Sequence, residues 1–164
     1  TFYKSVEELP DFMDYRMENR TYRYFRGEPL YPFGFGLSYT TFKYGKLATK
    51  KTIGRGSDLK VTVNVKNTGK MAGEEVVQLY LSNLSASVPV PLKALKGFKR
   101  IHLNPGETKT VTFTVTPDAF SVIDEQNKRV IQPGIFEISV GGGQPRAATG
   151  VKEPGVLKKK ITLL

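Results

Sequence analysis

The sequence contains no cysteine, no tryptophan and a single histidine, His102. Without cysteine there is no disulfide framework, no thiolate metal site and no cysteine nucleophile, and one histidine is too few for most metal centres. No apolar run approaches the ~20 residues that a bilayer-spanning helix requires. The chain opens Thr1-Phe2-Tyr3-Lys4 with neither an initiator methionine nor a basic-then-apolar leader, so it reads as a piece of something longer. What is present suits one folded domain with an extension: 164 residues, 39% of them apolar, and a mean hydropathy of −0.30.

Lysine and arginine number 25 against 15 acidic residues, a net charge of +10, and the pI of about 9.7 makes nucleic acid or another anionic surface the first partner to consider. Residues 1–57 carry 10 basic and 6 acidic side chains and residues 58–164 carry 15 and 9, so the charge is not clustered and its excess is spread in proportion to length. Lys158-Lys159-Lys160 is the one basic run and reads as a solvated strand face. The aromatics are distributed quite differently, because 13 of the 18 Phe and Tyr residues lie between Phe2 and Tyr44. Two regions with different tasks are implied.

From Asp58 onward the apolar residues recur with period two, which places alternate side chains on opposite faces of a strand. Leu59, Val61, Val63 and Val65 alternate with polar partners up to the turn Asn67-Thr68-Gly69-Lys70. Val77, Leu79 and Leu81 form a second run, and Val88-Pro89-Val90-Pro91 then interrupts with extended, edge-like chain. Ala94 to Leu103 ends in Asn104-Pro105-Gly106-Glu107, placed as a tight turn prefers. Val111, Phe113 and Val115 sit among threonines, β-branched throughout. Ala119–Asp124 and Arg129–Gln132 flank a polar turn, Phe136, Ile138 and Val140 lead to Gly141-Gly142-Gly143, and Leu157, Ile161 and Leu163 close the set. About seven or eight short strands with turn signals between them predict an all-β, immunoglobulin-like sandwich. The Gly142–Gly155 stretch reads as a mobile loop or one that crosses the outside of the domain.

Before Asp58 the pattern is unlike a strand set. Val6–Pro10 is expected to make one helical turn, and the segments Arg20–Arg26 and Tyr31–Gly36 are aromatic and punctuated by proline and glycine. Each ring buries ~150 to 250 Å² when packed, so this segment needs a surface: the sandwich itself, a partner, or a domain outside this chain.

Candidate chemistry is sparse. His102, between Ile101 and Leu103, reads as a strand-edge histidine rather than a general base. Two-carboxylate glycoside hydrolysis needs facing acids, whereas Glu74-Glu75, Asp124-Glu125 and Asp11 with Asp14 read as turn and surface charges. Asp11 and Asp14 lack the alternating oxygen ligands of a calcium loop, and Gly141–Gly143 lacks the lysine and helix of a phosphate loop. No catalytic residue, metal or cofactor is therefore expected. Arg20-Thr21-Tyr22-Arg23-Tyr24 interleaves cations with rings, as single-stranded nucleic acid or a sugar-stacking platform would use; without tryptophan or a nucleic-acid motif it reads as packing or interdomain docking.

Leu9-Pro10-Asp11-Phe12, Asp14 to Phe25, and Pro29-Leu30-Tyr31-Pro32-Phe33-Gly34-Phe35-Gly36-Leu37-Ser38-Tyr39-Thr40-Thr41-Phe42 resemble the C-terminal part of glycoside hydrolase family 3. Val61–Gly69, Gly73–Leu81, Pro91–Phe98, Leu103–Glu107 and Pro133–Gly141 resemble that family's fibronectin type III-like domain. The Arg20–Tyr24 element resembles β-glucosidase and β-xylosidase members, which release sugars from non-reducing ends with retention of configuration. The resemblance implies a nucleophilic Asp on an N-terminal barrel and a general acid on a following α/β domain, with no matching position here, so this chain alone is expected to be inert.

It also implies a division. Thr1–Tyr3 would end the α/β domain, residues 1–40 as a whole would be a linker segment from it, and residues 41–164 would be the sandwich. Residues 5–40 would brace the catalytic domains of the same polypeptide or approach their sugar site, through Arg20, Tyr22, Arg23, Tyr24, Phe25, Tyr31, Phe33 and Phe35. An alternative is a carbohydrate-binding module that anchors oligo- or polysaccharide through Tyr22, Tyr24, Tyr31 or Phe35. Neither nucleic acid nor membrane is expected as a partner, and the resemblance implies a periplasmic or secreted full-length enzyme.

Overall fold

A computed structural model describes residues 1–145 and 155–164. The valine-rich alternation of β3 (Leu59–Asn67) sets the architecture: Leu59, Val61, Val63 and Val65 are fully buried while Lys60 and Lys66 stay exposed. It is flanked by β1 (Phe42–Thr49) and β6 (Thr108–Val115) in an antiparallel three-stranded sheet ordered β1-β3-β6. The facing sheet has the order β2-β10-β9-β4-β5, built from β2 (Thr52–Ile53), β4 (Gly73–Asn83), β5 (Ala94–Leu103), β9 (Gly134–Gly141) and β10 (Val156–Leu163). Its pairings are antiparallel except for β2 against β10. β7 (Val122–Ile123) and β8 (Arg129–Val130) form a small separate hairpin.

The core lies between the two sheets. Val61, Val63, Val111 and Phe113 meet Val77, Leu79, Phe136, Ile138, Val140 and Ile161, and full burial of such side chains contributes ~1.5–3 kcal/mol each. Gly97 lets the layers close, since a Cβ there would lie 3.0 Å from the Phe113 ring.

The all-β sandwich expected from the alternation is the fold found, with seven of its ten strands eight residues or longer among the described residues. Three differences are physical. β1 has no visible period because Lys46 sits in a register shift between Gly45 and Ala48, at φ 52. β4 begins four residues before Val77 because Gly73 to Val76 pair with Leu103 to Arg100, extending the ladder through two glutamates. The stretch 119–132 holds only the two-residue strands β7 and β8 after a 3₁₀ turn at Pro117–Phe120. The expectation for Gly142–Gly155 falls largely on residues 146–154, outside the described ones.

Residues 1–40 carry one 3₁₀ turn, Val6–Glu8, and a single helical turn, α1 (Thr21–Tyr24). They lie against the outer face of the five-stranded sheet. By alternation Gln78, Tyr80 and Ser82 of β4 and Glu137 and Ser139 of β9 point away from the inter-sheet core, yet all five are buried.

Candidate docking site of the aromatic extension

The extension is held by a polar clasp around Gln78 and Gln144. The Phe33 amide donates to Gln144 Oε1 at 3.0 Å and the Gln144 amide donates to the Phe33 carbonyl at 3.1 Å. Gln78 Nε2 donates to the carbonyls of Gly34 (3.4 Å) and Gly142 (3.1 Å), while Tyr80 Oη donates to Gln78 Oε1 at 2.5 Å. Burial pushes the Tyr80 pKa up, with the neighbouring Tyr22 adding to the shift, so the phenol stays a donor. Gly34 has φ +77, and a Cβ there would run into the Gln78 amide, so the loop can sit this close only with glycine.

The rings pack on this clasp. Tyr22 stacks on Phe33 with centroids 4.3 Å apart and meets Tyr80 edge-on at 6.3 Å. The Leu95 amide donates to Tyr22 Oη at 3.2 Å, and the Leu92 amide donates to the Arg23 carbonyl at 2.8 Å. These bonds tie α1 to the start of β5. Lys96 lies nearby, its pKa lowered by burial and by Arg23 and Arg129.

The eight residues singled out from sequence thus divide. Arg20 turns inward, donating to the backbone carbonyls of Asp11, Asp14 and Arg16, and so closes the 11–17 loop. Phe25 is buried against Tyr3, and Tyr22 and Phe33 belong to the clasp, Phe33 through its backbone bonds and its stacking on Tyr22 while its ring stays half exposed. Arg23 lies over the Tyr24 ring at 5.9 Å. Tyr31 and Phe35 are half exposed with centroids 5.2 Å apart, and Phe2 stands edge-on to Tyr31 at 6.0 Å. The segment therefore has a fastened side and an open side. Its open side carries Phe12 at 87% exposure, Tyr15 at 84%, Leu37 at 93% and Tyr39 at 96%.

Two functional groupings are absent from the sequence reading. Asn67, at the end of β3, is fully buried and anchors the point where the extension enters β1. Its Nδ2 donates to the carbonyls of Met71 and Leu103, and its Oδ1 accepts from the Gly69 amide and from Thr40 Oγ1. Glu75 is the other, and here the surface-charge expectation is corrected. Glu74 faces out and pairs with Arg100, but Glu75, one residue on, turns toward the other sheet and accepts from Tyr44 Oη at 2.6 Å. Burial holds the Glu75 pKa above the usual carboxylate range, opposed by the Tyr44 hydrogen bond, and burial also raises the Tyr44 phenol. The pair borders a cleft of about 540 Å³ lined by Phe35, Phe42, Tyr44, Glu75 and Gln144.

No facing pair of acids is formed by Asp11 and Asp14, where Asp14 binds Arg16 at 2.8 Å and its pKa falls to about 2. Hydrogen bonding from the Arg16 side chain is the largest cause, followed by the Arg16 amide. His102 is exposed on β5. Among the described residues no group of three His, Asp or Glu side chains is placed to hold a metal ion.

Comparison with known proteins gives a consistent context. The sequence model of the fibronectin type III-like domain matches residues 75–144. A β-xylosidase of Formosa agariphila is 50% identical over 140 residues, spanning 82% of this chain and 18% of its own length. A periplasmic β-glucosidase of Salmonella typhimurium is 37% identical over 163 residues, spanning 92% and 21%. The solved structure of a β-glucosidase from Erythrobacter marinus superposes with a TM-score of 0.77 at 34% identity, covering all of this chain and 21% of that one. The chain therefore spans about one fifth of the length of the relatives it matches.

Proposed function

The chain carries the fibronectin type III-like domain of glycoside hydrolase family 3, and on that premise we propose that it is a non-catalytic accessory domain that braces the catalytic domains of the same polypeptide. The observation that carries this reading is the two-sidedness of residues 1–40. One side is fixed to the sandwich by the Gln78 and Gln144 bonds, and the other leaves Phe12, Tyr15, Leu37 and Tyr39 almost wholly in water. A chain of this size does not gather such side chains on one segment without a surface to cover them. Residues 1–40 are the linker from the catalytic α/β domain and residues 41–164 the sandwich. In the full-length enzyme, which cleaves terminal β-linked glucose or xylose in the periplasm or outside the cell, the open side of the linker lies on the catalytic body.

Within that role the eight aromatic and basic residues act in two sets. Arg20, Tyr22, Phe25 and Phe33 hold the linker's shape, while Arg23, Tyr24, Tyr31 and Phe35 face the catalytic domains or the rim of their sugar site. The chain supplies no nucleophile or general acid, so it should not turn over nitrophenyl β-glucoside or β-xyloside; turnover by the purified chain overturns the accessory reading.

The half-exposed Tyr31 and Phe35 rings favour a second reading, a platform that stacks on sugar. Pull-down on cellulose and unsubstituted xylan separates the two. Bracing gives no retention, and stacking gives retention that Tyr31→Ala and Phe35→Ala abolish.

A further inference from the structure

The outer face of the three-stranded sheet is cationic and polar, and its strands present no acid among the described residues. β3 presents Lys60, Thr62, Asn64 and Lys66 there, and β6 presents Thr114, Thr112, Thr110 and Thr108 directly opposite them. β1 adds Lys43 opposite Lys66, Gly45 opposite Asn64 and Ala48 opposite Thr62. Division of the chain at residue 57 hides this concentration, because that cut separates β1 from β3. Residues 42–70 carry 8 basic side chains against Asp58 alone, +7 of the total +10, whereas residues 1–41 carry 5 basic and 6 acidic, a net −1. The even spread suggested by the sequence halves is thereby corrected.

The arrangement is unfavourable in its own terms. Lys43 and Lys66 are direct cross-strand neighbours, and like charges so placed destabilise a sheet. At the far end Lys50 lies just past Thr49, the last residue of β1, and Thr49 pairs with Val61, the chain neighbour of Lys60. Between them the bulge re-aims Lys46 at φ 52, a conformation L side chains seldom take. Among the described residues no ion pair involves Lys43, Lys46, Lys50, Lys60 or Lys66. Lysines on an edge strand often block edge pairing. That explains β1 but not Lys60 and Lys66, which lie on the central strand β3, paired on both sides.

We infer that this face is a binding surface for a polysaccharide that bears carboxylate groups, a uronate-containing polymer. Lys60 and Lys66 stand about 20 Å apart along β3, which matches an extended, repeating anion rather than a single small one. The Thr and Asn side chains between them offer hydroxyl and amide partners to sugar hydroxyls, as Thr110 Oγ1 already does to Asn64 Oδ1 at 3.0 Å. Among the described residues the strands of this face present no ring to stack a nucleobase, no arginine to fork a phosphate, and no apolar side chain larger than Ala48 to enter a lipid surface. The face lies on the sheet opposite the one covered by residues 1–40, so it does not depend on how the linker is used.

The test is affinity electrophoresis of the 164-residue chain in gels containing polygalacturonate, with neutral xylan as the comparison polymer. The wild type is expected to be retarded by polygalacturonate and not by neutral xylan. The Lys43→Gln, Lys50→Gln, Lys60→Gln, Lys66→Gln variant is expected to bind at least tenfold more weakly. A variant with the same charge loss elsewhere, Lys4→Gln, Lys99→Gln, Lys128→Gln, Lys160→Gln, is expected to lose less than twofold. Equal losses in the two variants, no retardation of the wild type, or tighter binding to duplex DNA or phosphatidylserine vesicles at the same salt would each overturn the proposal. Lys43→Gln and Lys60→Gln singly, each expected to weaken binding in part, keep the test decisive if the quadruple variant does not fold.

Discussion

Asn67 uses all four of its side-chain hydrogen-bonding positions inside the fold. Asn67→Ala would remove the partner of two carbonyls, one amide and the Thr40 hydroxyl, and we expect a loss of about 2–3 kcal/mol in urea unfolding. Sequence gave no sign of this, because an asparagine closing a valine-rich strand reads as a turn former, and the partners come from Thr40 and Leu103, far along the chain. Glu75 was hidden for a related reason: a glutamate pair in a strand looks solvated until the opposite sheet brings Tyr44 within 2.6 Å. Because burial raises the folded-state pKa of Glu75 above the ordinary 4.5, the folded protein binds the extra proton in that window. Its stabilising effect is complete below pH 4.5 and is lost as pH rises through the raised value. Melting temperature should thus fall between pH 4 and 7 by more in the wild type than in Glu75→Gln; parallel curves would show that the carboxyl titrates normally.

At the scale of elements, the strands buried on one face were legible wherever alternation was unbroken, as in β3 and β6. β1 was not, because its bulge at Lys46 breaks the period, and the two-residue β2 is too short to carry one. The concentration of rings before residue 45 showed that the extension must be covered, but not that Gln78 and Tyr80 would be buried on the solvent side of β4 to receive it. That depends on pairing between segments over 40 residues apart. The inter-sheet core begins at Tyr44 and takes no member from residues 1–40. Deletion of residues 1–40 should therefore leave a cooperative melt, a few degrees lower because Gln78 and Tyr80 lose their cover. A broad, non-cooperative transition would make the extension part of the core. Tyr22→Ala should release α1 locally, seen as faster hydrogen exchange at the Leu92 and Leu95 amides with the β3 amides unchanged.

The whole molecule has three outer surfaces with different characters. The five-stranded sheet is covered in part by residues 1–40, the three-stranded sheet is cationic, and the open side of residues 1–40 is apolar. The family and the all-β fold could be read from sequence motifs and alternation, whereas the division of residues 1–40 into a fastened side and an open side required the packing. The most direct measurement is hydroxyl-radical footprinting of this chain alone and of the full-length polypeptide that contains it. Bracing predicts that Phe12, Tyr15, Leu37 and Tyr39 react readily in the isolated chain and are strongly protected in the full-length enzyme, while Phe98, exposed on β5, changes little. Equal reactivity of those four side chains in both would contradict the docking of residues 1–40 on the catalytic domains.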